Sequence, residues 1–467
     1  MSPELKKEVR EVMKKYNKRR QLSLLFINPP RSPYNGILQF APDDAKRFIH
    51  KKLIGPPLGL LTVATAVRDH AVSFLDMKGE YDLHPDAPDI EQLTWSWLED
   101  SNPHLVGVTF IASEFNDGMR IFKTVKKFNP DIVTVAGGLH TTLCPEHFFD
   151  DTVDVVIPGM ATQIFREVVD AVSRRRDLRS VAGILVRGAA GLEAAAVRNE
   201  MPDPAREGFI APDRSLVKPW IDTYIVGNNT VPVTYLYTSL GCPYRCTFCS
   251  IWPQCNGRFY QRDIESIIEE LKGLDGYPIV RFADANTVVN ASFIHRLFDR
   301  ILEEQIRKEY VMDIRFDTVV QYPELIEKMA GAGLKVVICG FESFRQHELE
   351  RYGKKASARQ ISEAIRIFDM NGIQVRGNYV VPPDYGDDDF KALEEYAASH
   401  KVVYAGYTIL TPMPGTQLYK QNLHDIIDYN LARYNFFNCV MRTTLPLEEF
   451  YHRVGRLWVI KKGTDVI

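Results

Sequence analysis

The chain has 467 residues, of which 45% are hydrophobic and 25% charged, and a formal net charge of -3. That length exceeds one ordinary domain and predicts two or three folded units. The near-neutral balance argues against nucleic acid as the main partner. Seven cysteines are present, four of them between positions 242 and 255. An odd, clustered count predicts metal binding in a reducing cytoplasm rather than a disulfide framework.

Residues 1–21 are charged and helix-prone and lack the apolar stretch of a signal peptide. No apolar run approaches membrane-spanning length. From 22 to 187 short apolar runs (LSLLFINPP, AVSFLDM, LVGVTFIAS, DIVTVAGG, DVVIPG, SVAGILVR) alternate with segments of helical periodicity. That alternation predicts an α/β Rossmann-like domain with a parallel, doubly wound sheet. Residues 188–230 are rich in Gly, Pro and Ala and read as a linker, anchored by packing of Trp220 and Tyr224. A second strand–helix series over 231–425 has six strands, among them IVRFADA, VMDIRFDTVV, KVVICGFES and IQVRGNYVV. Six such units predict a curled (β/α)6 partial barrel, with its active site at the carboxyl ends of the strands. Residues 426–467 are aromatic-rich and predict a short cap.

After the first barrel strand, SLGCPYRCTFCSIW sets Cys242, Cys246 and Cys249 in a C-x3-C-x2-C loop. Thiolates are the ligands of iron–sulfur clusters, and three of them leave one iron of a four-iron cube open to another ligand. The competing possibility is a structural zinc site closed by four ligands, with Cys255 as the fourth. The loop resembles that of the radical S-adenosylmethionine (SAM) superfamily, and the resemblance extends along the barrel. It implies a 4Fe-4S cluster held by Cys242, Cys246 and Cys249, with SAM on the open iron. It places Phe248 near adenine, Ala283 and Asp284 at the SAM amino group, Glu342 at the ribose or methionine moiety, and Thr411 in the segment closing on adenine.

The first domain resembles the cobalamin-binding domains that precede such barrels. INPP followed by PPLGLLTVATAVRD, the strand VGVTFIAS and the run VAGGLHTT carry this likeness. It implies cobalamin contacts from Thr109, Ser113, Gly137, Gly138 and His140, with glycines where backbone approaches a bulky ligand. The D-x-H-x-x-G loop that elsewhere supplies a cobalt ligand is absent between Ile27 and Leu60. Pro158-Gly159-Met160-Ala161-Thr162 stands where such domains usually carry Gly-Glu-Gly-Glu. A Rossmann-like scaffold without its ligand, or with another nucleotide, is the alternative.

Together the likenesses imply a cobalamin-dependent radical SAM C-methyltransferase. One SAM would methylate cobalt and a second would yield a 5′-deoxyadenosyl radical that removes a substrate hydrogen. Arg315 and Asp317, and Arg376 and Asn378, alternate in strand-like runs with Tyr379 beside them. They are the candidate catalytic, substrate-facing residues, against a structural salt-bridge network. An electron donor of the flavodoxin or ferredoxin type is implied as a partner. Overall size and a short tail resemble enzymes that methylate a glutamine carbon of methyl-coenzyme M reductase; a tetrapyrrole, lipid or natural-product intermediate is the other substrate class. A non-methylating cyclisation or rearrangement with the same cofactors is the second functional possibility.

Overall fold

The computed structural model describes residues 20–49, 55–189, 191–198, 202–204, 208–225, 231–400, 402 and 405–460. The helix expected near the start, and His50 in the loop after the first strand, lie outside these residues. The described chain forms two compact units: residues up to Pro30 with Pro57–Asp203 and Ile210–Trp220, and Arg31–Pro56 with Pro204–Phe209 and the chain from Ile221 onward.

The first unit is built on a sheet of seven strands: β1 (Ser23–Asn28), β2 (Ala71–Asp76), β3 (Leu105–Thr109), β4 (Val133–Gly137), β5 (Val155–Val156), β6 (Leu185–Gly188) and β7 (Gly191–Ala194). Their order is β2-β1-β3-β4-β5-β6-β7. The first five pair in parallel, and β1 and β3 are buried along nearly their whole length, as strands covered on both faces must be. The chain reverses direction across the sheet at β1, so a crevice opens at the carboxyl ends of β1 and β3.

The sheet departs from the all-parallel expectation at one edge. β6 and β7 are antiparallel, and β7 lies inside the stretch read as linker. The connection from Gly188 to Gly191 is far too short for the crossover a parallel pair needs. The Ala- and Gly-rich composition of this hairpin hid it. Trp220 does anchor the following segment: it is 2% exposed and its Nε1 donates to Glu80 Oε2 at 2.7 Å.

The second unit carries a six-stranded parallel sheet of β8 (Val233–Leu236), β11 (Ile279–Phe282), β12 (Glu309–Asp313), β13 (Leu334–Glu342), β14 (Gln374–Val381) and β15 (Gly406–Ile409). Each strand pairs with its neighbour in sequence, so the sheet is an open (β/α)6 partial barrel. A two-stranded antiparallel ribbon, β9 (Ser239–Gly241) and β10 (Phe259–Gln261), follows β8. Alternation divides the strands between two cores. Leu236, Val280, Phe282, Met312, Val337 and Tyr379 pack outward against the helices. Val233, Ile279 and Val311 form a smaller inner cluster with Tyr235, Val336 and Ile338.

Residues 31–56, expected in the first domain, group with this second unit. Helix Gly36–Phe40 packs on the C-terminal helix Leu447–Leu457, with Phe40 stacked on Tyr451 at 5.6 Å. A Cβ on Gly36 would come within 2.4 Å of the Tyr451 ring, so that helix contact requires glycine.

Candidate functional site

The cysteine loop leaves the barrel through β9. Gly241 has φ +84, and a Cβ there would sit 2.1 Å from the Arg258 carbonyl, so only glycine lets the chain turn into Cys242. The loop is then pinned from two sides. Thr247 N–H donates to the Tyr352 carbonyl and Leu418 N–H donates to the Thr247 carbonyl, both at 2.9 Å. Trp252 Nε1 donates to the Cys246 carbonyl at 3.2 Å.

The three thiols sit in a setting that suits a metal cluster. Burial pushes the Cys249 thiol up to about 11, while the N–H groups of Ile251 and Trp252 pull the other way. The Ile251 N–H lies 3.4 Å from Cys249 Sγ. Burial also raises Cys246, opposed by the cations Lys354 and Arg315. Neutral thiols in so dry a place need a cation to become thiolates, and the surrounding N–H groups and cations then stabilise the sulfur charge. A single tetrahedral zinc would draw its sulfurs to about 3.8 Å of one another. Among the described residues, no group of three His, Cys, Asp or Glu side chains that includes these cysteines converges within 4.8 Å.

At the carboxyl end of β11 the side chain of Asp284 turns into the protein. Its carboxylate accepts from the N–H groups of Thr238 and Ser239 at 2.9 and 2.8 Å and from Thr238 Oγ1 at 2.6 Å. Burial lifts its pKa to about 6 against those hydrogen bonds. Asp284 thus braces the turn from β8 into β9 that launches the cysteine loop. Ala283 N–H is engaged by the Leu236 carbonyl at 2.8 Å. Two residues on, Asn286 is 3% exposed; its Oδ1 accepts from Arg315 N–H, but its Nδ2 has no partner among the described residues. A buried donor left open at a strand end is a place for a ligand acceptor.

At the end of β13, Glu342 adopts φ +61, an uncommon conformation for a side-chain-bearing residue, where the strand register shifts. Its Oε1 pairs with Lys354 Nζ at 2.9 Å, and the lysine side chain is only 4% exposed. Phe248 is half-buried, edge-on to Tyr352 at 5.6 Å. Thr411 is buried, its hydroxyl donating to the Ile409 carbonyl at 3.0 Å.

Two expectations about the barrel mouth need correction. VMDIRFDTVV is not one strand: β12 stops at Asp313 and Phe316–Gln321 is helical. Arg315 and Asp317 therefore do not share a strand face. They meet in a two-pronged ion pair, Arg315 Nε to Asp317 Oδ1 at 3.0 Å and Nη2 to Oδ2 at 2.8 Å, with the guanidinium 4.1 Å from the Tyr244 ring centre of the cysteine loop. Tyr379 faces the helices, 2% exposed and stacked on Tyr407 at 5.5 Å, because strand alternation points it away from Arg376 and Asn378. Lys354, Tyr244 and Asn286 were missed by sequence reasoning. Tyr244 lies between the first two cysteines, and Asn286 lies two residues beyond Asp284; Lys354 carries no local signal.

In the first unit, Thr109 ends β3 and Gly137 ends β4. A Cβ on Gly137 would meet nothing within 4 Å, so the backbone there is open to a ligand. Gly138, at φ +104, is instead required by the protein itself, since a Cβ would lie 2.8 Å from the Phe110 backbone. Ser113 is buried in the turn that follows β3. His140 is 1% exposed and its Nε2 lies 3.0 Å from His147 Nδ1. The open backbone at strand ends beside the crevice fits a bulky ligand such as a corrinoid.

Comparison with known proteins agrees with both halves. Residues 236–397 match the radical SAM superfamily and residues 48–169 the B12 binding domain. An uncharacterised methyltransferase of Pyrococcus horikoshii is 28% identical over 400 residues, 83% of each chain. The hopanoid C-3 methylase of Methylococcus capsulatus is 24% identical over 406 residues, 85% of this chain and 74% of that one. The fold is shared with the radical SAM methyltransferase TsrM from Kitasatospora setae, solved with cobalamin and a 4Fe-4S cluster: TM-score 0.66, 16% identity, 93% of this chain and 85% of that one.

A radical SAM barrel joined to a B12 binding domain defines a cobalamin-dependent radical SAM enzyme, with a 4Fe-4S cluster, SAM and cobalamin as cofactors. Within that class the chain is similar, over more than four fifths of its length, to proteins named as a methyltransferase and a methylase. Among the described residues, no helix is long and apolar enough to cross a membrane.

Proposed function

We propose that the enzyme places a methyl group on an unactivated carbon of its substrate, using Cys242, Cys246 and Cys249 as the cluster ligands. When bound, the cluster supplies the electron that cleaves SAM and the corrinoid supplies the methyl group. The protein's own part is to position and to dry. Asp284 and Gly241 set the cysteine loop; Arg315 and Lys354 balance the charge of its sulfurs. Ala283, Asn286, Glu342, Phe248 and Thr411 frame the SAM site, with Asn286 Nδ2 as the donor waiting for an acceptor. In the first unit Thr109, Ser113, Gly137 and Gly138 form the cobalamin cradle, and His140 holds the segment behind it.

The observation that carries this reading is the C-x3-C-x2-C loop after the first barrel strand, its thiols buried and its sulfur charge met by N–H groups and the cations Lys354 and Arg315. The division into an N-terminal cobalamin domain and a barrel follows the match over 48–169 and 236–397. Arg376 and Asn378, which share one face of β14, are the residues we assign to substrate contact, with the Arg315–Asp317 pair beyond the end of β12 as a second candidate. A glutamine side chain of methyl-coenzyme M reductase rests on chain size alone; a polycyclic lipid is the substrate class suggested by the name of the hopanoid methylase.

Incubation with a low-potential reductant, a flavodoxin or ferredoxin as donor, methyl-deuterated SAM and candidate substrates tests the reaction. The product should carry the deuterated methyl group, with S-adenosylhomocysteine and 5′-deoxyadenosine formed together. Deoxyadenosine with an unmethylated product would overturn methyl transfer in favour of a cyclisation or rearrangement.

A further inference from the structure

Just beyond the Gly137-Gly138 turn, two residues with no part in the chemistry described above, Cys144 and His147, gather around His140. His140 lies in helix Leu139–Leu143, Cys144 caps that helix, and His147 lies in the short helix Pro145–Phe148. Their spacing of four and three residues keeps all three on one side of the segment. One ligand atom from each falls within 4.8 Å of the other two. His140 and Cys144 are 1% and 3% exposed, whereas His147 reaches solvent. We propose that His140, Cys144 and His147 form a second metal site, selective for a zinc-like divalent ion and separate from the cluster.

The ordinary alternative is a hydrogen bond between two imidazoles, with Cys144 as a small apolar neighbour. That alternative explains the burial of His140 among Phe115 and Phe148, whose ring centres lie 5.4 and 5.8 Å from it. The Cys144 ligand atom nonetheless lies within 4.8 Å of both imidazole nitrogens, as a shared ion requires. The 3.0 Å separation of His140 Nε2 and His147 Nδ1 is also near the ~3.3 Å expected for two nitrogens on one tetrahedral ion with bonds of 2.0–2.1 Å. Two imidazoles and a thiolate suit zinc better than calcium or magnesium, which prefer oxygen. Three protein ligands leave the fourth position to water, on the solvent side where His147 lies.

The ion takes the place of the one proton shared between the facing nitrogens. The ring that donates in this hydrogen bond tautomerises, its proton moving to its own far nitrogen, so both imidazoles stay neutral with their N–H turned away from the ion and no proton is lost there. Cys144 gives its thiol proton to solvent as the metal–sulfur bond forms. The consequence is mechanical. The segment following the Gly137-Gly138 turn becomes tied to its own helix face, and the ring stack of Phe115 and Phe148 shields the bonds from water.

The test is elemental analysis of the full enzyme, loaded with cluster and corrinoid, after equilibration with zinc and removal of the excess. One zinc per chain is expected. Cys144→Ser and the exposed His147→Gln should each lower it at least tenfold while iron per chain stays constant. Zinc-edge X-ray absorption should show a shell of nitrogen with one sulfur. Zinc below a tenth of an equivalent in the parent enzyme, or zinc unchanged by both substitutions, would overturn the site. Neither readout depends on methyl transfer, so failure here is separate from failure of the functional reading.

Discussion

Asp284 shows how one buried side chain shapes a site without entering its chemistry. Its pKa is raised from 3.8 to about 6, so folding takes up a proton between those values. The stabilising contribution of the protonated form is therefore complete below about pH 4 and lost as pH rises through about 6. Urea unfolding should show the parent losing about 1 kcal/mol between pH 5 and 7 relative to Asp284→Asn, which cannot titrate. The amide can still accept from the Thr238 and Ser239 N–H groups. Asp284→Ala cannot, and three orphaned donors should cost about 3–6 kcal/mol together with iron content. Asn286 makes the complementary case. Its open Nδ2 predicts that Asn286→Ala weakens SAM binding by about tenfold, roughly 1.4 kcal/mol, in a calorimetric titration, with a lower melting temperature as well because the Arg315 N–H loses its acceptor. The sequence displayed both residues in RFADAN, but only three-dimensional placement separates the brace from the open donor.

At the scale of elements, the parallel strands were legible because strands covered on both faces read as apolar runs. The boundary at Asp313 was not, since IRFDTVV keeps a strand-like alternation while Phe316–Gln321 turns helical. The hairpin of β6 and β7 escaped because its residues are weak strand formers, and Lys354 because its meaning lies in what it meets in space, Glu342, the Gly340 carbonyl and the Cys246 sulfur. That ion pair supports the end of β13 where the backbone is strained. Removing one buried partner strands the other, so Lys354→Met should cost about 3 kcal/mol in chemical denaturation. The double variant Lys354→Met, Glu342→Gln should cost clearly less. Equal losses would mean the lysine matters for packing alone.

At the scale of the whole molecule, the chain combines two units with separate cores, and each carries its ligand residues at the carboxyl ends of its own parallel strands. That placement was readable from the alternation of strands and helices, while the grouping of residues 31–56 with the barrel was not, because it depends on packing with a helix four hundred residues away in sequence. Separate cores predict separable loading of cofactors. Combined Cys242→Ser, Cys246→Ser and Cys249→Ser should abolish bound iron yet leave the visible absorbance of bound corrinoid within a factor of two. In the other direction, Gly137→Leu fills the open backbone at β4 and should weaken corrinoid binding at least tenfold with iron content unchanged. The same glycine has no protein atom within 4 Å of its missing Cβ, so the substitution should leave the unfolding midpoint nearly untouched. Gly138→Ala, by contrast, should lower that midpoint, because its Cβ meets the Phe110 backbone at a positive φ. If corrinoid binding survives Gly137→Leu, the ligand does not approach β4, and the cradle must lie elsewhere on the first unit.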